Sequence, residues 1–395
     1  MALTLEVWDG SSWIDKTSSC VSLRRRIRPE GLEELDGELV KDVVSVGQKI
    51  RLREDNRIKF MGIVYEIDRR HRGGEPESCG FKAYDYLIAY DRHVVYKLYQ
   101  TGTKAGEIIR DLGKLIDDEI PINLSGVEDG DSLLSPWEIQ NQKALDIMKS
   151  VARGTNYWLR MRPCLSYLNF GGDDYVEIPE GVIDIHEPFT LILWFRMDDL
   201  SGDRTLLEFY ANDSSRIRFV IRNGTEAINE IKSPLTYDRF LWGNITDIEI
   251  GRWYSWIAVV DPKAENENRL YINGEQQFTK FSDSSKWDSL DQPTRITIGY
   301  PAYYCTWWIG AISNVLLYQD YLDEDKISQI LAKPYDPIRE NLAGWWITNE
   351  SSGSTVYDRS GNQSHGTVYG ASWGYEVYPK YANSMLLEFK PKVIA

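Results

Sequence analysis

The densest group of side chains able to hold a ligand is residues 300–308, Tyr-Pro-Ala-Tyr-Tyr-Cys-Thr-Trp-Trp. Aromatic rings offer flat apolar faces with polar rims, a combination that stacks on the C–H face of a pyranose. Tyr303, Tyr304 and Trp307 are the members expected at the surface, because Trp308 leads into an apolar run; Trp242 and Trp287, in loop-like surroundings, could join them. Core packing competes for each of these rings. A second chemistry is suggested by Asp173 and Asp174, which follow Gly171-Gly172. Carboxylates and carbonyls at such a turn can converge on a hard cation such as calcium. The alternative is that Asp174 caps its own turn. Bond-breaking groups are scarce. Retaining glycoside hydrolysis takes two carboxylates about 5–5.5 Å apart, which on one strand means acids at i and i+2 or i+4. Glu66-Ile-Asp68 begins that spacing, but His71 stands where the next acid belongs, and Asp247-Ile-Glu249 also stops short. The four histidines (His71, His93, His186, His365) are dispersed, and the four cysteines (Cys20, Cys79, Cys164, Cys305) form no CxxC pair. Neither a zinc site nor a redox motif is supported. No enzymatic activity is expected.

The elements that must position these groups are mostly strands. Between residues 167 and 329, short runs of β-branched and aromatic residues alternate with Gly, Pro, Asn or Asp, a pattern of strand, turn, strand. Thr190-Leu-Ile-Leu-Trp-Phe-Arg is nearly continuous in apolar residues, as befits a strand covered on both faces. Asn273-Gly274 supplies the positive-φ pair of a tight hairpin. Many strands without intervening helices argue for two packed antiparallel sheets, a sandwich or jelly roll.

Residues 1–165 differ in kind. Alternating strands are predicted over 43–53, 58–67 and 80–87, then the apolar period lengthens. A helix is expected over 104–116 after Thr103, and another over 136–153 with Ala144, Leu145, Ile147, Met148 and Val151 as its buried stripe. The fold class is therefore mainly β: a small α+β, barrel-like domain in 1–165, an antiparallel sandwich in 166–333, and a segment 334–395 that completes the sandwich. At 395 residues, more than one domain is the natural expectation.

Charge is uneven. Net charge is −15; residues from 166 onward hold 33 acidic and 20 basic side chains, against 27 and 25 before them. Such a balance disfavours nucleic acid and anionic membrane as partners. No run of 18 apolar residues occurs, and the first residues lack the apolar core of a signal peptide, so a soluble chain without membrane insertion or an encoded export route is expected.

Two resemblances sharpen this. The order of phrases Asp173-Asp-Tyr-Val-Glu-Ile, Trp256-Ile-Ala-Val-Val-Asp, Leu270-Tyr-Ile-Asn-Gly-Glu and Ile309-Gly-Ala-Ile-Ser-Asn-Val resembles the laminin-G-like, concanavalin A-like jelly roll. The stretch 342–373, with Asp358-Arg-Ser-Gly-Asn-Gln-Ser-His-Gly at its centre, resembles the phrase that opens such modules. That family implies carbohydrate binding and, in many members, calcium at a loop rim. Asn314 falls where many relatives place an acid, which makes it a third metal candidate beside Asp173 and Asp174. Residues 46–158, with Val46-Gly-Gln-Lys-Ile-Arg-Leu, Ala83-Tyr-Asp-Tyr-Leu and Tyr99-Gln-Thr-Gly-Thr-Lys-Ala, resemble tail-hub and baseplate-hub proteins of tailed viruses (phages). This implies a virion protein made in the host cytoplasm, joined to other tail proteins as a homo-oligomeric ring, often a trimer. The combined expectation is a tail protein whose lectin-like domain attaches to host-surface glycan. A purely structural tail component and a polysaccharide hydrolase are the alternatives.

Overall fold

The computed structural model describes every residue except 1, 29–30, 73–74, 233–236, 246–247, 265–267, 278–283, 301–306, 378 and 393–395. Among the described residues the fold is mainly β, with nearly all strand pairs antiparallel and three α-helices, and it divides into two compact units. One unit takes Met1–Leu165, Ala332–Asp336 and Glu376–Ala395; the other takes Ser166–Leu331 and Pro337–Tyr375.

In the first unit a seven-stranded sheet has the order Trp13–Asp15, Leu3–Trp8, Lys49–Glu54, Arg57–Arg72, Glu75–Asp85, Glu34–Val40, Cys20–Arg26. Its terminal strands do not pair with each other among the described residues, so the ladder stays open where the sequence suggested a barrel. Leu5, Val7, Leu35, Leu39, Ile50, Leu52, Phe60 and Phe81 fill one core. A second core gathers the helices Ala105–Gly113 and Ala144–Thr155 around Met385, Leu387 and Phe389. Those last three lie on strand Ser384–Pro391, which pairs with Tyr157 to Cys164 and belongs to this unit. The expected helix over 136–153 begins only at Ala144. Trp137–Lys143 is a strand paired with Val94–Tyr99, because a stripe at helical spacing starts at Ala144 and nothing before it continues that spacing. Helix Ala105–Gly113 is capped at Lys104, whose backbone N–H donates to Glu107 (3.1 Å), rather than by Thr103. Lys49 lies near Lys333 and Asp336 and over the Tyr335 ring. Burial, with Lys333 second, pulls its ammonium pKa down to about 8.

The second unit is a two-sheet sandwich. One sheet runs Glu275–Gln276, Arg269–Ile272, Trp253–Val260, Phe189–Met197, Ile309–Tyr318; the last of these also pairs with Leu168 to Gly171 and with Leu342–Trp346. The other has eight strands, ordered Tyr237–Asn244, Glu226–Lys232, Ser215–Arg222, Asp203–Asn212, Arg295–Ile298, Tyr175–Pro179, Gly366–Tyr369, Thr355–Val356. Period-two alternation builds the interior. Ile217, Phe219 and Ile221 enter the core with Leu191, Leu193, Phe195, Phe209, Trp256, Trp308 and Val368, while Arg216, Arg218 and Arg222 between them face away. The hairpin at Asn273-Gly274 has the positive φ values, 55° and 80°, that its sequence called for. The C-terminal stretch is divided: residues 337–375 add strands to both sheets, and 376–395 return to the first unit. Among the described residues no helix is long and apolar enough to cross a membrane.

Candidate functional site

The outward face of the eight-stranded sheet concentrates the jelly roll's polar chemistry. Val176 and Ile178 point into the core, so Tyr175 and Glu177 between them point out. The register then sets Tyr175 opposite Tyr369, and Glu177 opposite both Thr367 and Thr297. Thr297 stands opposite Glu208, Glu208 opposite Arg218, and Arg218 opposite Glu230. One row, Thr367–Glu177–Thr297–Glu208–Arg218–Glu230, thus crosses six strands with none of its members adjacent in sequence.

Beside this row stands a column of aromatic rings. Tyr369 and Tyr175 stack at 4.5 Å between centroids and 18° between planes, Tyr175 meets Tyr300 at 5.2 Å, and Tyr300 meets Trp307 at 4.1 Å. Rings this close and this parallel cover one another's faces. The column therefore offers stacking surface at its exposed end, Tyr369, and ring edges with phenol groups along its flank. Tyr369 is 43% exposed. Gly299, at φ +85°, turns the chain between Ile298 in the core and Tyr300 in the column; a Cβ there would stand 2.6 Å from the Phe170 ring.

Charge on this face is paired. Arg218 donates to Glu230 at 2.5 Å, both nearly inaccessible, and Arg222 binds Asp203 through two hydrogen bonds of 2.8 Å. The hydrogen bond to Asp203 is the main reason the Arg222 pKa is raised. Arg295 lies 3.4 Å from Glu177 with its guanidinium over the Tyr210 ring at 4.8 Å. Burial first, and then the neighbouring Tyr369, raises the Tyr175 pKa; burial and a hydrogen bond to Asp213 do the same for Tyr210. Both remain neutral hydroxyl groups at physiological pH; Tyr210 spends its proton on Asp213 at 3.0 Å, so of the two Tyr175 is the one placed to donate to a ligand oxygen.

The residues singled out in the sequence fare differently. Trp307 joins the column. Tyr303 and Tyr304 lie outside the described residues. Trp242 sits on the edge strand Tyr237–Asn244, its side chain outside the description. Trp287 is a correction: it is 4% exposed and packs edge-on against Phe189 in the sandwich core, so it has no face to offer a ligand. The three metal candidates do not assemble. Asp174 accepts the Gly171 N–H at 2.5 Å with one carboxylate oxygen and presses the other against Gly370, where a Cβ would stand 2.1 Å from it. Asn314 is buried and its side-chain oxygen accepts from the Trp345 indole at 2.8 Å. Asp173, Asp174 and Asn314 therefore do not fit a calcium cage, and no cluster of three or more His, Cys, Asp or Glu among the described residues is arranged to hold a metal. Sequence reasoning missed Tyr175, Tyr369, Glu177 and Arg295, and held Tyr300 only as the first residue of the 300–308 cluster. Their outward parity was readable from the alternation, but their convergence depends on which strands become neighbours.

Comparison with known proteins places this unit. Residues 170–328 match the family model of the concanavalin A-like lectin/glucanases superfamily. The chain thus carries a concanavalin A-like jelly-roll domain of the laminin-G-like type. Similar solved structures include a candidate carbohydrate-binding protein from Bacteroides ovatus ATCC 8483 (11% identity, 80% of this chain and 77% of that one, TM-score 0.42). The CBM40 module of the Ruminococcus gnavus IT-sialidase bound to α2,3-sialyllactose shares 15% identity over 43% of this chain and 97% of that one, with a TM-score of 0.34. Domain 4 of the arabinanase AbnA from Geobacillus stearothermophilus, in complex with arabinotriose, shares 18% over 42% and 75%, with a TM-score of 0.33. No curated protein matches the sequence.

Proposed function

We propose that the jelly roll is a carbohydrate-binding domain whose ligand lies against the outward face of the eight-stranded sheet. The observation that carries this is the aromatic column from Tyr369 to Trp307 beside Thr367, Glu177 and Arg295. A pyranose C–H face on the open side of Tyr369 gains the apolar contact, and the neighbouring hydroxyl, carboxylate and guanidinium groups meet its hydroxyls. The lectin/glucanase family match over 170–328 supports the same reading. Binding rather than hydrolysis is the proposed work: Glu177 and Glu208, the acids of the row beside the column, face guanidinium groups at 3.4 and 3.8 Å.

The resemblance of residues 46–158 to tail-hub proteins extends the proposal. The first unit would mount the jelly roll on a virion tail, as one copy of a ring, and present it to host-surface glycan. The open strand edges of its seven-stranded sheet and the exposed Val94, Tyr96 and Leu98 on a two-stranded sheet favour protein contacts there. They equally favour a structural tail component whose sandwich binds protein. Calorimetric titration of the full chain with neutral and acidic oligosaccharides separates the readings. Saccharide binding that Tyr369→Ala weakens at least tenfold, with the thermal midpoint unchanged, supports the lectin. Titrations silent for every saccharide, with co-assembly on tail proteins intact, would leave the structural reading.

A further inference from the structure

A second concave surface of the jelly roll is unrelated to the aromatic column. A cleft of about 610 Å³ has Gly181, Gln319, Arg339, Asn341, Asn362 and Ser364 in its wall. Its volume falls in the range of small-molecule sites, but such sites are mostly apolar and this one is not. Amides, hydroxyls and one guanidinium form most of its wall, and it holds no aromatic ring.

The wall is built to stay in place. Loop 358–365 is wound around the carboxylate of Asp358, which is 7% exposed. One oxygen accepts the N–H of Trp345 (3.0 Å) and of Ser360 (2.9 Å); the other accepts the Ser360 hydroxyl (2.9 Å) and the Ser364 N–H (3.0 Å). The Trp346 indole donates to the Ser364 carbonyl at 2.9 Å. Asn362 spends its side-chain N–H groups on the carbonyls of Leu342 (3.2 Å) and Ala343 (2.9 Å), which leaves its Oδ1 as an acceptor with no donor among the described residues. The Ser364 hydroxyl likewise has no hydrogen-bond partner among the described residues. Opposite, Gln319 is fixed by Asp184 and Pro188, and Arg339 lies with its guanidinium 4.3 Å from the centre of the Trp345 ring while donating to the Arg359 carbonyl at 2.9 Å. Donors and acceptors held rigid around a polar cleft suit a ligand that is hydroxyl-rich all round and needs little reorganisation of the protein.

We propose that this cleft is a hydrogen-bonding subsite for the end of a neutral saccharide. It rests on the carbohydrate-binding reading above and adds to it a second site that works without stacking. Arg339, Asn341, Asn362 and Ser364 would bridge neighbouring hydroxyls, and the Gly181 backbone admits close approach. Neutral rather than acidic sugar follows from the surroundings. Arg339 is the single charged lining group, and the charges around it balance: Asp320, which accepts from Asn341 at 3.2 Å, and Glu340, which adjoins Arg339, lie 3.5 and 3.9 Å from Lys326, while residues from 166 onward carry 33 acidic against 20 basic side chains. The two sites lie at opposite ends of shared strands. Tyr175 precedes Gly181 by six residues and Ser364 precedes Tyr369 by five, so at most about 20 Å of extended chain separates them.

The test titrates the full chain with neutral tri- to pentasaccharides of gluco, galacto, manno and arabino configuration and with their uronic-acid counterparts. The variants are Ser364→Ala, which removes a hydroxyl the fold does not use, and Arg339→Gln, which keeps a donor and removes the charge. Expected are a roughly fivefold loss of affinity for Ser364→Ala at unchanged thermal midpoint, and at least tenfold for Arg339→Gln, whose thermal midpoint also falls because its contacts with Trp345 and the Arg359 carbonyl are lost. A chemical-shift or hydrogen-exchange footprint on 358–365 with the bound neutral sugar is also expected. Saccharide binding that Tyr369→Ala weakens while both cleft variants leave it intact overturns the cleft and keeps the lectin. Cleft binding confined to the uronic acids overturns the neutral class. Absence of binding by every saccharide overturns the cleft together with the reading beneath it.

Discussion

The two units expose themselves in opposite ways. The first shows apolar side chains taken from consecutive alternate positions, Val94, Tyr96 and Leu98 at 51, 70 and 52% exposure, on a two-stranded sheet. The jelly roll shows a polar row drawn from six strands, much of it buried among its own ion pairs. A surface of the first kind is a run of sequence; one of the second kind is a product of topology. The first kind invites another protein, because two-stranded sheets are marginal alone and exposed apolar strands seek cover. The second keeps its shape without a partner and can meet a small polar ligand.

The comparison can be broken at its strongest point. Glu230→Ala takes away the carboxylate 2.5 Å from Arg218, and a buried charge stripped of such a partner costs about 3–5 kcal/mol. Replacing both residues together, Arg218→Met with Glu230→Leu, should recover most of that loss. Denaturant titration of the single and double variants checks it; equal losses in both would show that the row is not a closed electrostatic unit. A smaller effect belongs to the first unit. Lys49 holds a folded pKa of about 8, below its ordinary 10.5, so between those values the unfolded chain binds more protons and stability rises with pH. Lys49→Met should flatten that rise, worth on the order of 3 kcal/mol between pH 7 and 10.5; stability measured at both pH values decides. Next comes Tyr96→Ser, expected to change folding stability by less than about 0.5 kcal/mol while lowering any self-association through this strand, read by sedimentation. Glu66→Ala tests the exposed ion pairs of the first unit. Its 3.0 Å pair with Lys82 is solvent-exposed, so a change of about 0–1 kcal/mol is expected, against several for Glu230. A large loss there would erase the contrast between the units.

Legibility in the sequence follows the same division. Alternation and turn residues revealed the sandwich, the Asn273-Gly274 hairpin and the buried stripe from Ala144 to Val151, because each is a local pattern. Trp287 was misassigned because a polar neighbourhood in sequence does not report what the chain folds over it; in the structure Phe189, almost a hundred residues earlier, lies against it. The search for carboxylates along single strands overlooked Glu177 and Glu208, which face the same way across Thr297 from different strands. Spacing within one strand cannot report that. Asn314 looked like a ligand by position, but its left-handed φ of 48° and its bond to Trp345 mark a bulge inside the sheet.

The path of the chain also sets an order of events during synthesis. Met385, Leu387 and Phe389, each fully buried, complete the helical core of the first unit, and strand Ser384–Pro391 supplies the ladder against Tyr157 to Cys164. A ribosome makes residues 1–165 first, yet that unit cannot close until more than two hundred further residues have emerged. The jelly roll, complete by Tyr375, has all its strands available earlier. The part translated first is therefore the part finished last, and a released chain truncated near residue 380 would carry a complete sandwich and an unsealed hydrophobic core, a ready substrate for chaperones.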